Sequence, residues 1–483
     1  MFPRRIVAAL SVLGWAAVLA SAACSSSPKS GGRGKPTILL TEKDDARVGK
    51  EASGAVAAQV GVYDDPKLEA YVSEIGHKLL RGVPRRNFQY QFKIVDQFEP
   101  NAFALPGGYI FVSRGLLALI QTEDELANIL CHEITHAAHR HAAMRQALVG
   151  QGPFAMPWTR AANMAGYGRD MERDADRGGQ ILAAAAGYDP MGMSTFLASL
   201  GQMERLRVGH VRQATFFDTH PGASERAAVN AARSHEIRRK PAPELGDTRT
   251  SYLLRIDGLP VGPRPEAGVF DGDRFLHPDL DFQLRFPPGW RVTNSAQAVG
   301  AMSSKRDAMI YLTADQPEGD PQEVAAAFIL KANEDSPVEV TDSRPVVIGG
   351  LDAWRVRLKA GGRRGGIAAT VTFIPYLGAT YQITGVSPSF AEKTYAGRML
   401  STTRSFRPLT SAQRSEIHGT RLELVKALPG EDLEAIDHRS GNAWDISTTA
   451  VYNGIFVTHR FAGGELVKTT RVEPYASDTS APR

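Results

Sequence analysis

His132-Glu133-Ile134-Thr135-His136 sets two imidazoles four residues apart with a carboxylate beside the first. On a helix, residues four apart share a face, so both rings can reach one cation, and Glu133 stands where it can hold a water on that cation. Two histidines do not complete such a site. A catalytic zinc takes three protein ligands and keeps one position open. A longer motif with glycine and a third histidine three and six residues after the second is absent, because those positions hold His139 and Ala142. The remaining source is a carboxylate from a second helix. In Glu172-Arg173-Asp174-Ala175-Asp176, Glu172 and Asp176 are four apart and share a face. Glu172 can be the third ligand, and Asp176 can accept the other ring N–H of a ligand histidine, His132 first of all, fixing its tautomer. His139 reads as a packed neighbour, since a fourth protein ligand would close the open position. His141 reads as a surface or capping group, and Cys131 as a buried core thiol.

These residues need elements to hold them. Thr122 and Glu125 make a Thr-x-x-Glu capping box before an apolar run, which predicts a helix from Glu123 to the mid-140s. A second helix is expected from Arg169 to Ala186, stopped by Gly187-Tyr188-Asp189-Pro190, and another over Met191 to Met203. Upstream, Ala46 to Val60 and Pro66 to Leu80 carry helical apolar spacing. Phe88 to Val95 alternates as a strand does, and Asn101 to Val112 reads as a hairpin turning at Pro106-Gly107-Gly108. Gln151 to Gly168 reads as a loop beside a cleft.

The two motif helices, together with NAFALPGGYIFVSRGLL (101–117), resemble the HtpX/BepA-type zinc metallopeptidases, gluzincins related to the CAAX prenyl proteases. The resemblance runs from about Lys43 to Arg233 and includes DDPKLEAYVSEIG and THPGASER. It implies a zincin-type peptidase domain with one zinc ion held by His132, His136 and Glu172, and Glu133 as general base. It also implies that His220 of Thr-His-Pro approaches the metal, where in BepA-like enzymes it can hold the enzyme latent. Arg226, six residues on, is implied to sit near the substrate, and one of these two to steady the oxyanion. The backbone of Ala102, Phe103, Ala104 and Leu105 would offer an edge to an extended peptide. Gly168 departs from the family pattern, in which a serine commonly precedes the arginine. The tetratricopeptide repeats that follow the peptidase in BepA are missing.

The 483 residues fit two to four domains. A composition of 43% hydrophobic and 22% charged residues suits folded domains, and a net charge of +4 gives no sign of a nucleic-acid partner. With only Cys24 and Cys131, a disulfide scaffold and a cysteine-ligated zinc are both excluded. Arg4 and Arg5 precede an uncharged stretch from Ile6 to Ala23, which reads as a secretion signal (1–23). Cys24, between Ser21-Ala22-Ala23 and Ser25-Ser26-Ser27, resembles the lipidated cysteine of a bacterial lipoprotein. That implies a membrane anchor on the periplasmic face of the outer membrane, although Ser21 stands where leucine is usual. Residues 24–40 read as a flexible tether, 41–240 as the peptidase, 241–267 as a proline-rich linker, and 268–408 as an α+β domain with strands from Phe282 onward and a tight Gly349-Gly350 hairpin. Residues 418–474 resemble a degenerate LysM module, a βααβ fold that binds peptidoglycan, and 475–483 read as a disordered tail. No later segment is long and apolar enough to span a membrane. The expected fold class is α+β. The expected function is an envelope zinc endopeptidase acting on misfolded or misassembled proteins. The alternatives are a non-catalytic envelope- or peptidoglycan-binding lipoprotein with a residual zinc site, and a peptidoglycan-tethered protease with one dedicated substrate.

Overall fold

A computed structural model of the chain describes residues 41–83, 89–144, 168–206, 216, 220, 222–295, 297–335, 337–361 and 366–475. The signal segment, Cys24, the tether, the loop 151–167 and the tail beyond Tyr475 lie outside the described residues. The chain divides into two compact units. Among the described residues, one holds 41–264 together with His418–Glu473, and the other holds Pro265–Ile417 and 474–475. No described helix is long and apolar enough to cross a membrane.

In the first unit, α1 (Glu42–Gln59) starts on a complete capping box between Thr41 and Asp44. Asp65 caps α2 (Pro66–Leu80) by accepting from the N–H groups of Lys67 and Leu68. This helix buries Leu68, Val72, Ile75 and Leu79, a spacing that keeps one face apolar. β1 (Gln91–Val95), β2 (Ala102–Leu105) and β3 (Tyr109–Ser113) form a sheet in the order β1-β3-β2. β2 and β3 are the antiparallel hairpin expected from the sequence, and β1 runs parallel to β3.

The chain then enters α3 (Arg114–Leu119) and α4 (Glu123–Ala138), the helix that carries the two histidines. Its cap differs from the box read in the sequence. Thr122 accepts from the Glu125 N–H, but the Glu125 carboxylate takes the N–H of Gln121 (2.7 Å) and the hydroxyl of Thr195 (2.6 Å) instead of closing the box. The helix also ends at Ala138, not in the mid-140s. Arg140 adopts a left-handed backbone (φ 56°), and its guanidinium is held by the buried Asp45 of α1 at 2.5 Å. A tertiary ion pair thus stops a helix that its own periodicity would continue.

α5 (Arg169–Ala185) lies against α4 at close range. A Cβ on Gly179 would stand 3.0 Å from the His132 backbone nitrogen, and one on Gly178 would stand 2.8 Å from the Thr135 methyl. This glycine pair lets the two motif helices approach closely. α6 (Gly192–Leu206) and α7 (Ala223–Ser234) complete the layer over α4 and α5.

Of the segment read as an interdomain linker, residues 241–264 belong to this unit. They contain α8 (Thr248–Ile256), whose Tyr252 is fully buried and donates to the Leu117 carbonyl. Arg114 is 2% exposed, pairs with Asp96 at 2.6 Å, and donates to the carbonyls of Pro260 and Gly262. Prolines signalled an irregular backbone here, but not that it is tied down.

The second unit is antiparallel β. β4 (Val269–Asp271), β5 (Arg274–His277) and β6 (Phe282–Arg285) form one sheet. β7 (Arg291–Asn294), β8 (Val299–Met302), β9 (Met309–Pro317), β10 (Val338–Ile348), β11 (Leu351–Ala360), β12 (Ile367–Tyr376) and β13 (Ala379–Pro388) form another, in the order β10-β11-β12-β13-β9-β8-β7. α9 (Pro321–Asp335) packs Ala325 with Val356 and Phe373, while α10 (Glu392–Arg404) packs Met399 with Ile383 and Ala353. Gly349 and Gly350 both take positive φ (58° and 86°), as the tight hairpin requires.

The last elements, β14 (His418–Lys426), α11 (Leu433–Ser440), α12 (Ile446–Asn453) and β15 (Leu466–Pro474), have βααβ order. They are not a freestanding module, because they share a unit with the peptidase elements. Backbone bonds join Gly258 to Leu422 and Val261 to Thr420. Lys468 of β15 is fully buried, and its Nζ donates to the carbonyls of Ala118 (2.8 Å), Leu119 (3.2 Å) and Ile120 (2.9 Å) at the end of α3. Burial pushes the Lys468 ammonium well below its ordinary value, and nearby Glu125 opposes that shift. Lys468→Met removes the donor for three carbonyls at a helix end. It is expected to destabilise the protein by about 3 kcal/mol, since each buried unsatisfied group costs ~1–3 kcal/mol. An unchanged thermal midpoint by calorimetry would contradict this role.

Candidate metal centre

α4 presents His132 and His136 from successive turns, and their Nε2 atoms stand 3.0 Å apart. Glu172, in the first turn of α5, brings Oε2 to 3.6 Å from His132 Nε2 and Oε1 to 3.5 Å from His136 Nε2. His220 completes the group. Its Nδ1 lies 3.3 Å from His132 Nε2 and 3.1 Å from each Glu172 oxygen. All four side chains are buried. Ligand atoms about 2.1 Å from a tetrahedral zinc are themselves about 3.4 Å apart, so the donor spacing and chemistry fit that ion. The fit has a second sign. Glu133 is fully buried, and neither of its oxygens has a hydrogen-bond partner among the described residues. An unpartnered buried carboxylate beside this group is costly unless a cation or a water is there. Its nearest cationic neighbour is His220, whose Nε2 is 3.5 Å from Oε1.

The electrostatics separate the two carboxylates. Burial raises Glu133 above the usual carboxylate range, and His220 and His132 only partly offset it. Burial would raise Glu172 too, but His220, His132 and Arg226 together hold it below its ordinary value. For His220, burial disfavours the charged ring, and Glu172 and Glu133 more than compensate, so its pKa is raised.

Asp176 stands one turn after Glu172, with Oδ1 3.0 Å from His132 Nδ1. Arg226 is placed differently from the expectation of a substrate-facing group. It is 6% exposed, and its guanidinium is spent on the acidic helix: Nε to Asp176 Oδ2 (2.8 Å), Nη2 to Asp176 Oδ1 (2.6 Å) and Nη1 to Glu172 Oε2 (2.7 Å). The fork binds Asp176 bidentately and Glu172 end-on, so these contacts hold the acidic helix. Asn230, one turn further along α7, adds a bond to Asp176 Oδ2 at 2.9 Å. The Arg-x-x-x-Asn spacing is the sequence sign of that shared face.

His141 is a further correction. It is buried (2% exposed), not on the surface, and its Nδ1 meets His136 Nδ1 at 2.8 Å. Burial lowers its pKa to about 4, with Asp174 opposing. His139 is half exposed and pairs with Asp174 at 2.5 Å, apart from the four-donor group. Cys131 is a buried free thiol, as expected. Phe216 stacks on the His220 ring (centroids 4.2 Å apart) and was not anticipated. Ala102, Phe103, Ala104 and Leu105 form the edge strand of their sheet with all four side chains buried. Ala104 and Leu105 adjoin His136 across a cavity of about 10 Å³.

Residues 66–234 match the model of Peptidase family M48. Over 200 residues the chain is 26% identical to the beta-barrel assembly-enhancing protease of Escherichia coli (strain K12), covering 36% of this chain and 40% of that protein. It is 28% identical over 223 residues to the beta-barrel assembly-enhancing protease of Yersinia pestis, covering 40% and 44%. It is also 28% identical over 173 residues to the mitochondrial metalloendopeptidase OMA1 of Schizosaccharomyces pombe (strain 972 / ATCC 24843), covering 32% and 50%. The chain spans half or less of the length of these curated relatives. The match and the donor group fall on the same elements, so residues 66–234 are similar to Peptidase family M48 and hold the His/Glu group that could bind a metal ion.

Proposed function

We propose that the chain is a zinc endopeptidase of the bacterial cell envelope that hydrolyses misfolded or misassembled envelope proteins. The observation that carries the reading is the convergence of His132, His136 and Glu172 with an unpartnered Glu133 beside them. A zinc ion bound there supplies positive charge that polarises a peptide carbonyl and acidifies a water. Glu133 takes the proton from the attacking water and passes it to the leaving amine, a task that suits a carboxyl raised by burial. Asp176 holds the His132 ring by its Nδ1 edge, and Arg226 holds Asp176 and Glu172. The edge strand β2 pairs with an extended substrate backbone, which gives broad acceptance of unfolded chain.

His220 completes the donor set and thereby closes the position that a water or carbonyl needs, so it acts as a latch backed by Phe216. The signal-like residues 1–23 support export, and Cys24 supports a lipid anchor. The named role of the assembly-enhancing relatives supports envelope proteins as clients. The βααβ order of 418–474 supports a glycan contact, which co-sedimentation of the whole chain with purified peptidoglycan tests.

The activity is tested by casein cleavage with and without a chelator. Cleavage is expected to stop when zinc is removed and to return with one equivalent. His220→Ala is expected to cleave severalfold faster. Cleavage that persists after complete metal removal overturns the enzyme reading, and slower cleavage by His220→Ala overturns the latch.

A further inference from the structure

One face of the large sheet in the second unit gathers guanidinium groups. Arg344 of the edge strand β10 lies opposite Arg355 of β11, and Arg355 lies opposite Thr372 of β12. Cross-strand partners share a face, as do residues two apart on one strand, so Arg357 stands beside Arg355 on that face. It is the face on which α10 packs Met399 with Ala353 and Ile383. Asp342, opposite Arg357, lies 3.2 Å from Arg344 Nε. Among the described residues, Arg355, Arg357 and Arg404 make no side-chain hydrogen bond or ion pair. Arg355 is 7% exposed, and its Nε–H has no acceptor there. The Thr372 hydroxyl opposite it is fully buried and has no partner either. Arginine is rarely buried unless paired, and a buried donor without an acceptor is costly. Burial, then the charges of Arg344, Arg357 and Arg404, pull the Arg355 guanidinium below its ordinary value, and Asp342 opposes them. An anion would reverse every one of these unfavourable effects except burial.

We propose that Arg344, Arg355, Arg357 and Thr372 form a binding site for a phosphate group, carried by a lipid headgroup or free in solution. Charge and shape favour phosphate over carboxylate. A carboxylate brings one negative charge in one plane and accepts a single fork. Three guanidinium groups against Asp342 leave a surplus of two positive charges. A phosphate monoester carries about −1.5 to −2 near neutral pH and presents three acceptor oxygens in different directions. Arg355 and Arg357 leave β11 about 7 Å apart, two strand steps, and Arg344 leaves the neighbouring strand about 5 Å from Arg355. Side chains of that length and spacing can converge on one tetrahedral group. Each fork then takes its own pair of oxygens or shares one, and the Thr372 hydroxyl donates from the buried side. Lysine at these positions would supply the charge without the forks. The edge position of β10 leaves the site open on one side, where the ester substituent of a headgroup has room.

The site does not depend on the peptidase reading and is tested on the full chain. Titration calorimetry in phosphate-free buffer uses two probes, inorganic phosphate and the soluble short-chain lipid dihexanoyl phosphatidic acid. The wild type is expected to bind at least one of them. Tighter binding of the lipid assigns the site to a headgroup, and equal or tighter binding of inorganic phosphate assigns it to the free ion. Arg355→Gln and Arg357→Gln should each weaken that binding by about 10–100-fold, the scale of lost charge-assisted bonds. Arg355→Gln should melt no lower than the wild type, because it removes a buried charge that has no partner, so its loss of binding is not unfolding. Thr372→Val, which keeps the side-chain shape, should weaken binding severalfold. Failure of the wild type to bind either probe overturns the site. Unchanged affinity in Arg355→Gln also overturns it, and is what phosphate held at the metal centre instead would give.

Discussion

Glu133→Gln is expected to reduce casein cleavage by about 10²–10⁴-fold while zinc content stays at wild-type level. Glutamine keeps the volume and planar shape of the carboxyl, so the α4 core around Leu130 and Ile134 need not shift. It cannot accept a proton from water and later return it, and general acid–base catalysis contributes about 10²–10⁴-fold. The loss should appear in kcat with KM little changed, because Glu133 is not among the groups read as binding substrate. Burying a neutral amide is cheaper than burying an unpartnered carboxylate, so the variant should melt no lower than the wild type. Two measurements on one preparation decide it, cleavage rate and zinc by elemental analysis. Near-wild-type cleavage would remove Glu133 from the chemistry. Loss of zinc together with activity would make it part of the metal's holding group instead.

The parts of this site that were legible in the sequence are those set within one helix or by two strongly patterned helices. His132, Glu133 and His136 share a turn, and Glu172 and Asp176 share another, so helical periodicity alone fixes their faces. That the two faces meet depends on Gly178 and Gly179, whose lack of side chains admits the α4 backbone. This feature is visible in the sequence but has no meaning until the partner helix is known. His220 could be placed only through resemblance, since it joins the group through tertiary structure. His141 was misread because the left-handed Arg140 breaks the helix that periodicity continues, and the Asp45 contact that supports the break is 95 residues away. For the same reason the proline-rich stretch 241–267, of which residues up to Arg264 belong to the peptidase unit, reads in sequence as a linker and 418–474 as an independent module. The residues that bind them to the peptidase elements are a buried arginine and a buried lysine, Arg114 and Lys468, types that are ordinarily exposed.

Removing Arg226 should damage stability and metal binding together, and this separates a positioning role from a substrate-facing one. Arg226→Met keeps much of the side-chain volume but leaves Glu172 and Asp176, both buried, without the cation they share. Breaking a buried pair from one side costs about 3–5 kcal/mol, so the metal-free protein should melt several degrees lower. Zinc affinity should fall by about 10–100-fold, because Glu172 and, through Asp176, His132 lose their fixed orientation. Arg226→Lys should recover little, since an ammonium cannot make the fork with Asp176 and reach Glu172 as well. The acid response carries the same signature. Burial would raise Asp176, but the Arg226 and His132 bonds hold it below its ordinary value of 3.8. Its contribution to stability is therefore complete above pH 3.8 and is lost as pH falls through the lower folded value. Arg226→Met should lose that acid-side slope. If Arg226 acted on the substrate oxyanion instead, its removal would lower kcat by about 10²–10³-fold while leaving the melting temperature, the acid profile and the zinc affinity in place. That pattern would return Arg226 to the role its place in Thr-His-Pro-Gly-Ala-Ser-Glu-Arg first implied.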